Sequence, residues 1–198
     1  MILFSLYDRL ILYPLNKFKF GAFGLHSSLN NAIRIEKPKN IFIGEKVSIG
    51  KFAWLAANPL TGYKDCKLKI GNNTYIGNSA HIYCTKSIII ENSVLIADRV
   101  YISDNQHGFG DINRPIIDQP IVQLADVVIK EGSWIGENVC ISGASIGKNS
   151  IIGANSVVTK DIPDYCIAVG APAKIIKRYS VDKEAWLKTD DKGNFIEI

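Results

Sequence analysis

From Ile70 the chain reads Ile70-Gly71-Asn72-Asn73-Thr74-Tyr75-Ile76-Gly77-Asn78-Ser79-Ala80-His81-Ile82, with an aliphatic residue returning at every sixth position. The same spacing extends in both directions. Ile43, Ile49 and Leu55 precede it, and Ile90, Ile96, Ile102 and then Ile129, Ile135, Ile141 follow. After a slip of one residue come Ile146, Ile152 and Val158. A helix turns by about 100° per residue, so steps of six would scatter these side chains and build no apolar face. Six is a multiple of the strand period, so in strands all of them point to one side. Isoleucine, branched at Cβ, also packs well on a pleated surface. An ordinary sandwich keeps no six-residue register. The pattern therefore predicts an all-β chain, a parallel β-solenoid whose stacked coils bury one continuous interior.

A second slot in each hexad is small or β-branched: Val47, Ala53, Thr74, Ala80, Val94, Val100, Ser133, Val139 and Ser156. A narrow prism already filled by aliphatic residues has room for little else there. The glycines behind the aliphatic residues are expected at turns that need unusual backbone angles.

With 198 residues, 47% of them hydrophobic, the chain suits one packed domain and not a disordered one. A net charge of +4 fits anionic ligands or a membrane surface and is too small to imply nucleic acid. Cys66, Cys84, Cys140 and Cys166 form no Cys-x-x-Cys pair, which speaks against a zinc site or redox dithiol and for free thiols in a reducing cytoplasm. Met1–Phe20 is apolar but broken by Asp8, Arg9 and Pro14, unlike a cleaved signal. Residues 1–32 read as a helical or irregular cap on the open end of the solenoid; contact with the inner face of a membrane is the other reading. Residues 33–178 carry the repeats, interrupted by a short insertion at Asn58–Lys67 and a longer loop over 108–125. In the tail, 179–198, Val181–Lys188 has helix-like composition, and the alternating Phe195-Ile196-Glu197-Ile198 suits a short strand.

Of the three histidines, His26 precedes the repeats and His81 lies within a hexad, which suits structural or surface roles. His107 closes the hexad begun at Ile102, in Ile-Ser-Asp-Asn-Gln-His-Gly, directly before the long loop. A neutral imidazole there is suited to take a proton from a hydroxyl. Three histidines with no His-x4-His pair do not make the ligand set of a zinc-dependent carbonic anhydrase, a class that can share such a solenoid.

These features resemble the hexapeptide-repeat acyltransferases over about Ile33–Arg178, most closely the polysaccharide and sugar O-acetyltransferases and the galactoside and maltose acetyltransferases. The resemblance implies a left-handed parallel β-helix, a hand that spacing cannot supply because parallel crossovers are normally right-handed. Ile102–Gly108 is similar to the family's Ile-Thr-Asp-His-x-His segment, which makes His107 the catalytic base, while Asn105 replaces the earlier histidine. Asp104, Asn105 and Trp134 become candidate acceptor contacts. The family's acceptor-positioning asparagine falls in register on Gly77, with Asn78 beside it. Trp134-Ile135-Gly136, the run Ile152–Pro163 and Val169–Lys174 resemble the coils that bind acetyl-CoA. They imply small residues (Gly136, Gly143, Gly153, Ala154) along the pantetheine arm and Thr159, Lys160, Lys174, Lys177 and Arg178 near the phosphates. A backbone amide at Gly136–Glu137 is implied as oxyanion donor. The expected function is acetyl transfer from acetyl-CoA to a sugar hydroxyl of a surface polysaccharide or its precursor, in a homotrimer, without metal. N-acetylation of an amino sugar or nucleotide sugar is the alternative, and a non-catalytic solenoid a remoter one.

Overall fold

The computed structural model describes residues 12–196. The chain winds as a three-faced prism. Face A stacks β1 (Ala22–Phe23), β4 (Ile41–Ile43), β7 (Lys67–Ile70), β10 (Ser87–Ile90) and β15 (Val127–Ile129), all parallel. Face B stacks β2 (Ser28–Leu29), β5 (Ser48–Ile49), β8 (Tyr75–Ile76), β11 (Leu95–Ile96), β16 (Trp134–Ile135), β18 (Ile151–Ile152) and β20 (Cys166–Val169). It ends in antiparallel β21 (Lys174–Ser180) and β22 (Ala185–Lys188). Face C holds β3 (Arg34–Glu36), β6 (Trp54–Ala57), β9 (His81–Cys84), β12 (Tyr101–Ser103), β17 (Cys140–Ser142) and β19 (Val157–Val158). A hairpin of β13 (Asn105–His107) and β14 (Ile121–Gln123) leaves the prism after β12.

The six-residue step carries the chain from one face to the next within a coil, and the vertical stacks join residues a whole coil apart. Ile43, Ile70, Ile90 and Ile129 align on face A, and Ile49, Ile76, Ile96, Ile135 and Ile152 on face B. Leu55, Ile82, Ile102, Ile141 and Val158 align on face C. All of these side chains are buried, Ile76, Ile96 and Ile135 completely. Ile96→Ala, at mid-stack, is expected to cost about 2–5 kcal/mol through lost burial and the cavity left behind. Urea unfolding checks this, and an unchanged midpoint would contradict it.

The small slot is buried throughout, from Val47 to Ser156. The glycine expectation needs correction. Gly50 and Gly77 have ordinary backbone angles; a Cβ on Gly50 would lie 2.6 Å from the Gly77 carbonyl carbon, and one on Gly77 2.5 Å from that of Ala97. Close stacking of coils excludes a side chain. The left-handed conformation falls two residues later, on Phe52, Asn73, Ser79, Ser93, Arg99, Asn138, Asn149 and Asn155. Asparagine, frequent there, tolerates it better than most residues.

Spacing is constant at two edges of the prism and variable at the third. From A to B and from B to C every step is six, as in Ile70–Ile76–Ile82. From C back to A it runs Leu55–Ile70, Ile82–Ile90, Ile102–Ile129 and Ile141–Ile146. Both insertions leave from this C–A edge.

At the N-terminal end, α1 (Tyr13–Lys19) runs into buried Phe20, whose ring lies 5.6 Å from that of Phe23. Residues 1–11, also read above as part of the cap, lie outside the described residues. The coils begin at Ala22, ahead of residue 33. The helix expected over Val181–Lys188 is corrected: Ala185–Lys188 is a strand paired with β21, and Trp186 packs on Tyr179 at 5.6 Å. Ladder hydrogen bonds offered by an open sheet edge override local helix propensity. Phe195 bridges back to Thr189. Among the described residues no helix is long and apolar enough to cross a membrane.

Candidate active site

The C–A edge is held together by one carboxylate. Asp104 is fully buried. Its Oδ1 accepts from the Thr85 amide (2.8 Å) and Asn105 Nδ2 (2.9 Å), and its Oδ2 from the Lys86 (2.8 Å) and Ser87 (3.0 Å) amides. Burial alone would raise its pKa, but the hydrogen bonds from Asn105, Lys86 and Thr85 outweigh it and hold the carboxyl below its ordinary 3.8. The Asp104 carbonyl accepts from Gln123 Nε2 (2.8 Å) and the Leu124 amide (2.9 Å), which fastens the return of the long loop. Gln123 Oε1 in turn faces Thr61 Oγ1 at 2.8 Å and Thr85 Oγ1 at 3.0 Å. The Thr85 hydroxyl also lies 3.0 Å from Asp104 Oδ1, and its single proton serves one acceptor at a time.

From this anchor the chain runs outward to His107. In the β13–β14 ladder His107 lies opposite Ile121, and the Gly108 amide donates to the Pro120 carbonyl at 2.8 Å. The imidazole is exposed. Backbone pairing therefore positions His107, and the buried carboxylate acts through that backbone. Asp104 thus differs from the expected acceptor contact: every direction around it is taken by protein donors. Asn105 is likewise nearly buried, its Nδ2 shared between Asp104 and the Tyr83 carbonyl (3.1 Å). Both residues support the loop.

Beside Asn105, the outer side of face C carries a shelf that sequence reading missed. Trp54 Nε1 donates to Glu36 Oε1 at 3.0 Å, and Asn58 Nδ2 lies within reach of Glu36 Oε2 (2.5 Å) and the Tyr83 hydroxyl (3.3 Å). His81 stacks on Trp54 at 4.1 Å and meets Tyr101 edge-on at 5.1 Å. Burial pushes its pKa below the ordinary 6.5. The signal available was positional: Trp54, His81 and Tyr101 occupy the same outward hexad position. Nothing local to Thr61 or Gln123 announced their role.

The other expected site residues are dispersed. Asn78 sits at the B–C edge, its Oδ1 accepting from the Lys51 amide (2.9 Å) and its own amide donating to Asp98 (2.7 Å). It belongs to a ladder joining coils and is separated from His107 by face C. Glu137 is at the same edge, ion-paired with Arg99. The Gly136 amide is committed to the Ile152 carbonyl at 2.8 Å, which removes it as an oxyanion donor and leaves that of Glu137. A Cβ on Gly136 would lie 2.6 Å from the Ala154 nitrogen, on Gly153 2.7 Å from Val169, and on Gly143 2.6 Å from Leu124. Coil stacking and the loop root account for these glycines without a ligand. Ala154, Thr159 and Lys160 are exposed on the last coils, Lys177 and Arg178 are exposed on the antiparallel β21 that follows, and Lys174 pairs with Asp191. Trp134, 48% exposed, projects from face B, which lies opposite the C–A edge. All four cysteines are free; Cys66 and Cys84 Sγ lie 3.7 Å apart, and the hydrogen bond between them together with burial raises the Cys84 pKa. Among the described residues no group of three or more His, Cys, Asp or Glu could hold a metal ion.

Residues 126–160 match the family model described as bacterial transferase hexapeptide (six repeats). The chain is 47% identical over 73 residues to a galactoside O-acetyltransferase of Lactococcus lactis, covering 36% of this chain and 34% of that protein. It is 42% identical over 72 residues to the putative lipopolysaccharide biosynthesis O-acetyl transferase WbbJ of Escherichia coli, covering 36% and 37%. The matched stretches thus span only about a third of these curated relatives. Among solved structures, a hexapeptide-repeat acetyltransferase of Vibrio cholerae complexed with acetyl coenzyme A superposes with a TM-score of 0.63 at 26% identity, over 89% of this chain and 80% of that one. AntD, an N-acyltransferase from Bacillus cereus, shares the fold with a TM-score of 0.70 at 23% identity, over 86% and 89%. The resemblance to hexapeptide-repeat acetyltransferases is borne out, and the prism is their left-handed β-helix.

Proposed function

We propose that this chain is an acetyl-CoA-dependent acyltransferase that acylates a saccharide hydroxyl, with His107 as general base. The observation that carries this reading is an exposed imidazole at the root of the long loop, buttressed by a buried carboxylate, on a solenoid whose later coils match the transferase repeat. His107 takes the proton from the acceptor hydroxyl as its oxygen attacks the thioester carbonyl. The C–S bond then breaks, and the imidazolium returns the proton to the departing CoA thiolate. The Glu137 amide of a second chain is the oxyanion donor in this reading. Exposed Lys160, Lys177 and Arg178, none in an ion pair among the described residues, suit the donor's phosphates. The shelf of Trp54 and Tyr83 beside Asn105 suits a sugar ring.

The homotrimer implied by the resemblance suits this reading. Trp134 and His107 lie on opposite sides of one prism, so a site using both is built from two chains. Tyr75, Leu95 and Trp134, exposed by 41%, 45% and 48%, align on successive coils of face B as an apolar stripe suited to burial against a second copy.

The test is free-thiol release from acetyl-CoA with a panel of oligosaccharides and amino sugars, run also on co-expressed His107→Ala and Trp134→Ala chains. Each variant alone is expected to be inactive, and the mixture to recover activity at mixed interfaces. Acylation of amines alone would replace the O-transfer reading with the N-transfer one, in keeping with the AntD fold. Failure of the mixture to recover would place the site within one chain.

A further inference from the structure

On the coil preceding the His107 hairpin, the C–A edge forms a recess of about 250 Å³ lined by Tyr63, Lys64, Asp65, Lys67, Lys69, Lys86, Ser87 and Ile89. We infer that this recess binds the phosphate of the acceptor, so that the acceptor is a phosphorylated saccharide, such as a glycosyl phosphate or diphosphate, and not a neutral sugar.

The lysines are directed there by the fold. Leu68 and Ile70 fill the prism, and strand alternation turns Lys67 and Lys69 outward from the same short strand. The insertion that leaves this edge after Ala57 brings Tyr63 and Lys64 over them, and Lys86 closes the recess from the next coil, its Nζ 4.7 Å from the Tyr63 ring centroid. Lys86 is paired with Asp126 at 2.9 Å. Lys64, Lys67 and Lys69 have no ion pair among the described residues, and Asp65 is the only carboxylate in the lining. Ammonium groups gathered in a concave surface raise the local potential and are best compensated by an anion of more than one charge.

Its position argues for the acceptor's phosphate over the donor's. Thr61, in the insertion, meets Gln123 of the hairpin, and the Lys86 amide donates to Asp104, so the recess is fastened to the segment that carries His107. The basic residues assigned to CoA lie on the last coils and on β21. A wider groove of about 600 Å³ along face A shares Lys69 and Ile89 with the recess and ends at Glu91 and Glu131, which leaves room for more of the acceptor but repels a second anion.

The inference rests on the acyltransferase reading, and the test separates the two. Binding of inorganic pyrophosphate and, separately, of CoA is measured by calorimetry on the full chain and on Lys67→Gln/Lys69→Gln. The expected result is salt-sensitive pyrophosphate binding that weakens about tenfold or more in the variant, with CoA affinity unchanged. Both side chains are exposed, so the fold should persist; should it not, Lys64→Gln serves with the same readout. No pyrophosphate binding at low salt, or binding indifferent to these lysines, overturns the inference. So does a parallel loss of CoA binding, which would give the recess to the donor. Lysine-dependent pyrophosphate binding in a chain that never releases thiol from acetyl-CoA would instead remove the acyltransferase reading and leave an anion site.

Discussion

His107→Ala is expected to lower acetyl transfer by about 100- to 10,000-fold, the range a positioned general base supplies, while CoA is expected to raise the melting temperature of the variant and the wild type alike. The two readouts separate because His107 stands on the hairpin and the residues assigned to the donor stand on later coils. Backbone pairs at Asn105–Gln123, Gln106–Val122 and His107–Ile121 form the hairpin, and none of them needs the imidazole. Turnover within a few-fold of wild type would remove His107 from the mechanism. Loss of CoA stabilisation in parallel would make it a structural residue.

Asp104→Ala is expected to damage both stability and activity. Removing the carboxylate strands the buried amide of Thr85, at about 1–3 kcal/mol when left unpaired, and the half-buried amides of Lys86 and Ser87, which add less each. Collapse of the neighbouring coil relieves part of that, so the net loss expected is about 3 kcal/mol or more, read by urea unfolding. Activity should fall at temperatures where the variant is still folded, since Asn105 loses a partner and the hairpin its anchor. Asp104→Asn, which keeps the shape and one acceptor, should recover part of both. The pH dependence has a definite sign. Because the folded carboxyl lies below its ordinary 3.8, its contribution is complete above that value and is lost as pH falls through the folded pKa. The Asp104→Ala variant should therefore lose less stability than wild type on acidification. An equal loss would mean that Asp104 is not the anchor described.

A phosphorylated acceptor constrains the reaction that must come before this one. A phosphorylated saccharide is made by phosphoryl transfer onto a sugar or by nucleotidyl transfer onto a sugar phosphate, so a reaction of one of these classes would have to supply the proposed acceptor. Neutral oligosaccharides in a thiol-release screen should then be poor acceptors beside their phosphorylated counterparts.

The hexad spacing is enough to specify the solenoid. Steps such as Ile70–Ile76–Ile82 demand strands turning at equal intervals, and the small slots follow from the narrow interior they enclose. It also marked His107, because a histidine that ends a hexad at the mouth of a long loop stands out from the repeat. What surrounds that histidine depends on how the coils stack. The resemblance makes Asp104 a candidate acceptor contact, yet the donors it satisfies come from the preceding coil, at Thr85, Lys86 and Ser87. Trp134 and Asn78 belong to motifs that suggest one site, but a prism sends residues on different faces in different directions, and the face is set by how the coils close. The tail shows the same division: Val181–Lys188 has a helix's composition, and the open edge of face B made part of it a strand. Periodic burial is a local property that each hexad repeats. Hydrogen bonds between coils join residues about twenty positions apart, and no single stretch of sequence contains both partners.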